Sequence, residues 1–285
     1  MSRFMDTKYV SLEAYTPGEQ PKDMQYIKLN TNESPYPPSK GVYETVNAEQ
    51  ISKLMLYPDP ECISLRKKIA DLYGVEAKNI YLSNGSDDIL NFAFMAFCEN
   101  KKAVFPEISY GFYSVFAQLY GIEYEAVPLK KDFSIDYRDY LNKGAMIVIA
   151  NPNAPTGIAL EVSEIEKIIR ANPNNVVVID EAYVDFGAQS CVRLTEKYDN
   201  LVVVQTFSKS RSMAGARLGF AIANEELIED FNKIKYSTNP YNINRLTLKA
   251  GEAAIDDNAY YMENCERIID TREKTSCELR KMGFD

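Results

Sequence analysis

Apolar residues in this chain fall into short dense runs separated by polar and aromatic stretches of roughly helical length. The runs at 80–82 (IYL), 102–105 (KAVF), 123–129 (EYEAVPL) and 145–150 (AMIVIA) read as strands, and those at 176–180 (VVVID) and 201–206 (LVVVQT) as buried ones. Between them the spacing changes. Leu65, Ile69 and Leu72 recur at helical intervals, with Gly74 as a stop. The stretch entered at Ser86, a natural N-cap, is apolar nearly all round (Ile89, Leu90, Phe92, Phe94, Met95, Phe97), which predicts a helix buried on more than one side. Residues 108–121 predict an aromatic-rich helix. Residues 163–172 predict an amphipathic one, with Ser163 and Glu166 as a capping box and Ile165, Ile168 and Ile169 on one face. Two helices follow at 245–257 and 259–283; Tyr261, Cys265, Ile268, Ile269 and Leu279 mark the buried side of the second, and Gly283 its end. Residues 1–44 are rich in Pro, Asn, Ser and Gly, so regular structure does not persist there; Tyr15, Tyr26, Ile27, Leu29 and Tyr36 predict an ordered arm packed on another surface.

This alternation predicts an α/β fold, a three-layer, mainly parallel sheet with helices on both faces. Ligands of such sheets sit at the carboxyl ends of the strands. The loops 83–88, 151–157, 180–186 and 206–217 all lie at such ends, which predicts one shared site. Composition narrows the partners. A net charge of −9 over 285 residues disfavours nucleic acid and anionic membrane surfaces, but leaves room for a small anion in a locally basic pocket. The longest apolar runs are far too short to span a bilayer, and MSRFMDTKYV is too polar for a signal peptide, so the cytosol is the expected compartment. Five scattered cysteines without a CxxC pair fit reduced thiols, not a disulfide frame or a zinc site. Histidine is absent, which removes Ser-His and Cys-His triads and histidine metal sites. The chemistry falls to Lys, Tyr, Asp, Glu or a cofactor.

The stretch TFSKSRSMAGARLGF (206–220) sets Lys209, Arg211 and Arg217 among hydroxyls and glycines at the mouth of a strand. Cations and hydroxyls on a flexible backbone suit an anion, and a desolvated lysine can act as a nucleophile. The amides of Gly85, Ser86 and Asp87 at a helix start suit a phosphate. Asp180 ends a fully apolar strand, where a carboxylate is costly without a positive partner such as a protonated pyridine nitrogen. Tyr183 lies within reach of an oxygen on the same ring, and Tyr110 is suited to stack on its face. Each feature alone is ordinary: a capped strand end, a packed tyrosine, a surface lysine. Jointly, with Thr206, Ser208 and Arg217 gathering a phosphate, they describe pyridoxal 5′-phosphate.

The ordered set KLNTNESPYPP, YPDPE, SNGSDD, SYGFY, NPNAPTG, VVVIDEAYVDF and TFSKSRSMAGARLGF resembles fold-type I aminotransferases, specifically the histidinol-phosphate aminotransferase family, over nearly the whole chain. The resemblance implies that Lys209 carries the cofactor and shuttles a proton between substrate and cofactor carbons. It implies that Asp180 keeps the pyridine nitrogen protonated, that Tyr183 bonds the ring oxygen, and that Tyr110 stacks. Gly85, Ser86, Asp87, Thr206, Ser208 and Arg217 hold the phosphate; Tyr57 reaches the phosphate of a partner subunit in a homodimer; Tyr15 and Asn32 lie close to the substrate. It divides the chain into an arm (1–44) joining a small domain, a cofactor-binding large domain (45–245), and linker helices with the start of an incomplete small domain (246–285). The implied reaction is transamination of L-histidinol phosphate with 2-oxoglutarate in histidine biosynthesis. Alternatives on the same scaffold are an aromatic amino-acid aminotransferase, a threonine-phosphate decarboxylase, or a shortened cofactor-binding protein without turnover. Two departures stand out. Ala154 occupies the place where the family sets a ring-oxygen asparagine, with Asn153 beside it, and the family continues past residue 285 with substrate-binding arginines.

Overall fold

The structure is a computed structural model that describes residues 4–5, 9, 12, 18–19, 27–98 and 102–284. Tyr15 and Tyr26 lie outside the described residues. Seven strands form one sheet: β1 (Ile80–Ser83), β2 (Lys102–Pro106), β3 (Glu123–Val127), β4 (Met146–Ala150), β5 (Val177–Asp180), β6 (Leu201–Thr206) and β7 (Gly219–Ala223), in the order β1-β7-β6-β5-β4-β2-β3. The four pairings from β6 to β3 all run parallel, whereas β7 runs antiparallel to both β1 and β6. β7 was not foreseen: it starts at Gly219, at the end of the stretch 206–220 read as a loop, and runs three residues past it.

The central strands β4, β5 and β6 are buried on both sides, and their alternate residues feed two cores, whereas the edge strand β3 is exposed except at Val127. Ile147, Ile149, Val177, Ile179, Leu201 and Val203 face Leu65 and Ile69 of α3 (Ile63–Tyr73), Ile165, Ile168 and Ile169 of α6 (Val162–Ala171), and Leu248 of α8 (Arg245–Asp256). Met146, Val148, Val178, Val202 and Val204 face Ile89, Leu90 and Phe94 of α4 (Ser86–Phe97), Phe116 of α5 (Phe112–Tyr120), and Ile228 and Phe231 of α7 (Glu225–Thr238). The outcome is the expected three-layer α/β sandwich. Two short helices, α1 (Lys40–Thr45) and α2 (Ala48–Ser52), precede these layers. The long α9 (Asn258–Lys281) anchors through buried Tyr261 and Cys265, while Ile268 and Ile269 are half-buried and Leu279 is exposed.

Several local expectations change. Gly74 does cap α3 in the left-handed conformation (φ 67°), but Leu72 is exposed because it falls off the buried stripe of Leu65, Ile69 and Ala70. The α4 N-cap is Gly85 (φ 92°), one residue before Ser86. The Ser163–Glu166 capping box does not form: α6 begins at Val162 with Glu161 as N-cap, and Glu166 instead accepts from Lys197 Nζ at 2.5 Å and from the Tyr198 hydroxyl at 2.7 Å. The described part of the arm is docked only at its end, for Ile27 and Leu29, expected to pack, are exposed. The Tyr261 hydroxyl accepts from Ser39 N at 2.9 Å, Asp257 accepts from Gly41 N at 3.1 Å, and the Ser212 hydroxyl donates to Ser34 Oγ at 2.9 Å.

Candidate active site

Parallel strands end on one side of the sheet. Ala150 of β4 is in register with Asp180 of β5, and Ser83 of β1 and Thr206 of β6 both pair with Gly219, the first residue of β7. The loops after β1, β4, β5 and β6 therefore open at the same edge, where the sequence reading located them.

Four strand ends set the geometry. Asp180 is 5% exposed. Tyr113, fully buried in α5, donates its hydroxyl to Asp180 Oδ2 at 2.9 Å, and Ala182 N–H donates to Oδ1 at 3.2 Å. Burial pushes the Asp180 carboxyl up to about 6; the two donors and the charge of Lys209 pull it back, while the charge of Asp87 adds to the rise. The charges of Asp87 and Lys209 thus both reach Asp180. Asp87 is gripped from two sides, by Arg217 Nη2 at 3.0 Å and by the Tyr110 hydroxyl at 2.7 Å. Thr206 donates its hydroxyl to Ser208 Oγ at 3.0 Å, and Ser208 N–H donates to Thr206 Oγ1 at 3.1 Å. Lys209 Nζ donates to Thr31 O at 2.9 Å and stands 5.5 Å from the centre of the Tyr183 ring, whose hydroxyl accepts from Asn32 Nδ2 at 3.1 Å. A cavity of about 1080 Å³ opens here, lined by Asn32, Ala154, Tyr183 and Lys209 among others.

The helix start at α4 is a tight cradle. Gly85 N–H turns inward to Ser83 O at 2.8 Å, so the outward amides of this turn are those of Ser86 and Asp87. A Cβ on Gly85 would lie 2.7 Å from Arg217 Nη2, and one on Gly219 would lie 2.5 Å from Ser86 N. The backbone is held this close only because both residues are glycine. A cavity beside a lysine amine, a basic cradle at a helix N-terminus, and a buried carboxylate with neutral donors fit a flat, phosphate-bearing pyridine aldehyde.

Two of the sequence-predicted residues fall elsewhere or beyond view. Tyr57 is 78% exposed, its ring stacked on Tyr241 at 4.6 Å, and Arg245 Nη2 donates to its carbonyl at 3.0 Å; it does not line the cavity. Tyr15 lies outside the described residues. Asn153 and Ala154 both line the cavity, but Asn153 is buried and engaged elsewhere, accepting from the Ser109 hydroxyl at 2.8 Å and donating to Ile108 O at 3.0 Å. Arg211 turns away behind the loop, where Nη1 lies 4.0 Å from Asp185 Oδ2. Tyr113 was missed; its one signal was a place three residues after Tyr110, one turn along the same aromatic helix. Among the described residues no cluster of His, Cys, Asp or Glu is arranged to hold a metal, and no helix is long and apolar enough to cross a membrane.

Residues 24–285 match the family model described as aminotransferase class I and II, and the chain belongs to that family. Among its relatives, it is 54% identical over its whole length to the histidinol-phosphate aminotransferase of Brachyspira hyodysenteriae and 48% identical to that of Clostridium acetobutylicum, covering 81% of each. The crystal structure of the histidinol-phosphate aminotransferase from Clostridium acetobutylicum superposes with a TM-score of 0.82 at 27% identity, over 89% of this chain and 77% of that one.

Proposed function

We propose that this protein is a pyridoxal-phosphate-dependent aminotransferase that exchanges the amino group of L-histidinol phosphate with 2-oxoglutarate, in the cytoplasm and as a homodimer. The observation that carries the substrate is the 54% identity, across the entire chain, to a relative named for that reaction. The convergence of Lys209, Asp180 and Asp87 on one strand-end edge supports the cofactor.

When bound, the cofactor supplies an electron sink for the electrons left as the substrate's Cα proton departs. This chain's residues would do the rest. Lys209 Nζ would hold the cofactor at its aldehyde and would serve as the base that takes up and gives back the substrate's Cα proton. Asp180 accepts a hydrogen bond from the pyridine N–H and keeps it charged. Because Tyr113 and Ala182 already occupy its two oxygens, the carboxylate is held in one orientation. Tyr183 donates to the ring oxygen, and Tyr110 stacks against the ring. Arg217, Thr206, Ser208 and the Ser86 and Asp87 amides beside Gly85 hold the phosphate. Asn32, with Tyr15 on the arm, orients the substrate. Tyr57, exposed and splinted by Tyr241, reaches the phosphate bound in the partner subunit.

The test is spectroscopic. Wild-type protein mixed with pyridoxal phosphate acquires the visible band of covalently held cofactor, and Lys209→Ala does not. Histidinol phosphate with 2-oxoglutarate then yields glutamate, whereas phenylalanine and phosphothreonine do not. Identical spectra for the two proteins would overturn the role of Lys209; turnover of phenylalanine or phosphothreonine alone would overturn the substrate.

A further inference from the structure

Thr206 and Gln205 are successive residues of β6 and point to opposite faces of the sheet; Glu181, the residue after the end of β5, is hydrogen-bonded to Gln205, and Ser210 follows Lys209 in the loop after β6. Glu181, Gln205 and Ser210 form a buried polar layer. Glu181, 1% exposed, accepts from Gln205 Nε2 at 2.8 Å and from the Ser190 hydroxyl at 2.7 Å on one oxygen, and from Cys191 N–H at 2.5 Å on the other. Gln205 Oε1 in turn accepts from the Tyr73 hydroxyl at 2.5 Å, and Ser210 donates to Asp185 at 2.5 Å.

The Glu181–Gln205 contact has a particular position. The β5–β6 ladder ends with Asp180 in register with Val204, and Glu181 N–H still donates to Val204 O at 2.8 Å. Beyond that point β5 gives way to its loop, while β6 runs on to Thr206 paired only with β7. The side-chain bond between Glu181 and Gln205 is one more rung, placed where the backbone rungs stop. A carboxylate is an expensive choice for a rung. Burial pushes Glu181 up to about 7, and the three donors only partly offset this.

We infer that Glu181 and Gln205 are positioning residues: their hydrogen bond fixes the separation of β5 and β6 and thereby the spacing of Asp180 from Thr206, Ser208 and Lys209 across the cofactor. This rests on the cofactor reading above. The bond is polar in one sense only, with an amide donor on β6 and an acceptor on β5. Reversing one partner breaks it and reversing both restores it. Glu181→Gln sets an amide where Cys191 N–H, Ser190 and Gln205 all donate; Gln205→Glu sets two carboxylates within hydrogen-bonding distance. In Glu181→Gln/Gln205→Glu, residue 181 donates to residue 205 and to Ser190 Oγ, still accepts from Cys191 N–H, and residue 205 still accepts from Tyr73.

The experiment measures pyridoxal-phosphate affinity and the pH midpoint of the bound cofactor's absorbance in the wild type, both single variants and the swap, alongside melting temperatures. Each single variant should bind the cofactor about tenfold more weakly with a displaced midpoint, the loss of one charge-assisted hydrogen bond, and the swap should return both to within about threefold of wild type. Ser190→Ala, at the half-buried rim, removes one donor and should weaken binding about threefold even if a single core variant fails to fold. Single variants or Ser190→Ala that bind as the wild type does, or a swap as weak as the two single losses combined, would overturn the rung. A wild-type protein without a cofactor band overturns the cofactor reading and the rung's role with it. A normal band indifferent to the single variants overturns the rung alone.

Discussion

Asp180→Asn should stabilise the cofactor-free protein at pH 8 while weakening the cofactor-bound one. In the folded, cofactor-free protein burial raises the carboxyl from 3.8 to about 6, so between these values the folded state holds a proton that the unfolded state has released. Stability therefore falls as pH rises through this window; the penalty is absent below about pH 4 and complete above about pH 6, where it amounts to about 3 kcal/mol. Asparagine never ionises and escapes the penalty. It still accepts from Tyr113, but its amide then faces Ala182 N–H, a lost hydrogen bond worth about 1 kcal/mol. The net expectation is a variant about 2 kcal/mol more stable than wild type at pH 8 and about 1 kcal/mol less stable near pH 4. Urea unfolding of both proteins without cofactor, at several pH values, reads this crossing directly. With saturating pyridoxal phosphate the order at pH 8 should invert, because only the wild type pairs with the pyridinium. A cofactor-free variant less stable than wild type at pH 8, or a difference that does not change with pH, would refute the account of Asp180 as an uncompensated buried charge.

Two further outcomes follow from the same geometry. Gly219→Ala places a Cβ 2.5 Å from Ser86 N and 2.6 Å from the Gly85 carbonyl carbon, both backbone, so α4 must retreat from the sheet; thermal unfolding should show a loss of about 3 kcal/mol, and a variant melting with the wild type would show the cradle to be loose. Tyr113→Phe removes the buried donor to Asp180 and should cost about 2 kcal/mol at pH 8 but less near pH 4, where the carboxyl is already neutral; an equal cost at both values would mean that the hydroxyl serves packing and not charge.

The chain's own pattern determined most of the frame. Short apolar runs named six of the seven strands, and their alternation with helical stretches set the parallel sheet and its two helical layers. The strand-end motifs named Lys209, Asp180, Asp87 and Arg217 before any of them could be seen to meet. What the pattern left open was partnership. Periodicity records that a residue is buried, but a buried polar group's partner depends on which strands end up adjacent. That Tyr113 would serve Asp180, that Glu181 would serve Gln205, and that Arg211 would turn to the rear beside Asp185 are consequences of the strand order β7-β6-β5-β4. The seventh strand shows the same limit: its first two residues end the stretch read as a loop, and GFAIA becomes a strand because Gly219 lets it lie against α4 while β1 and β6 supply hydrogen bonds on both its edges. Local sequence decided which groups are buried; only the folded sheet decided what each of them touches.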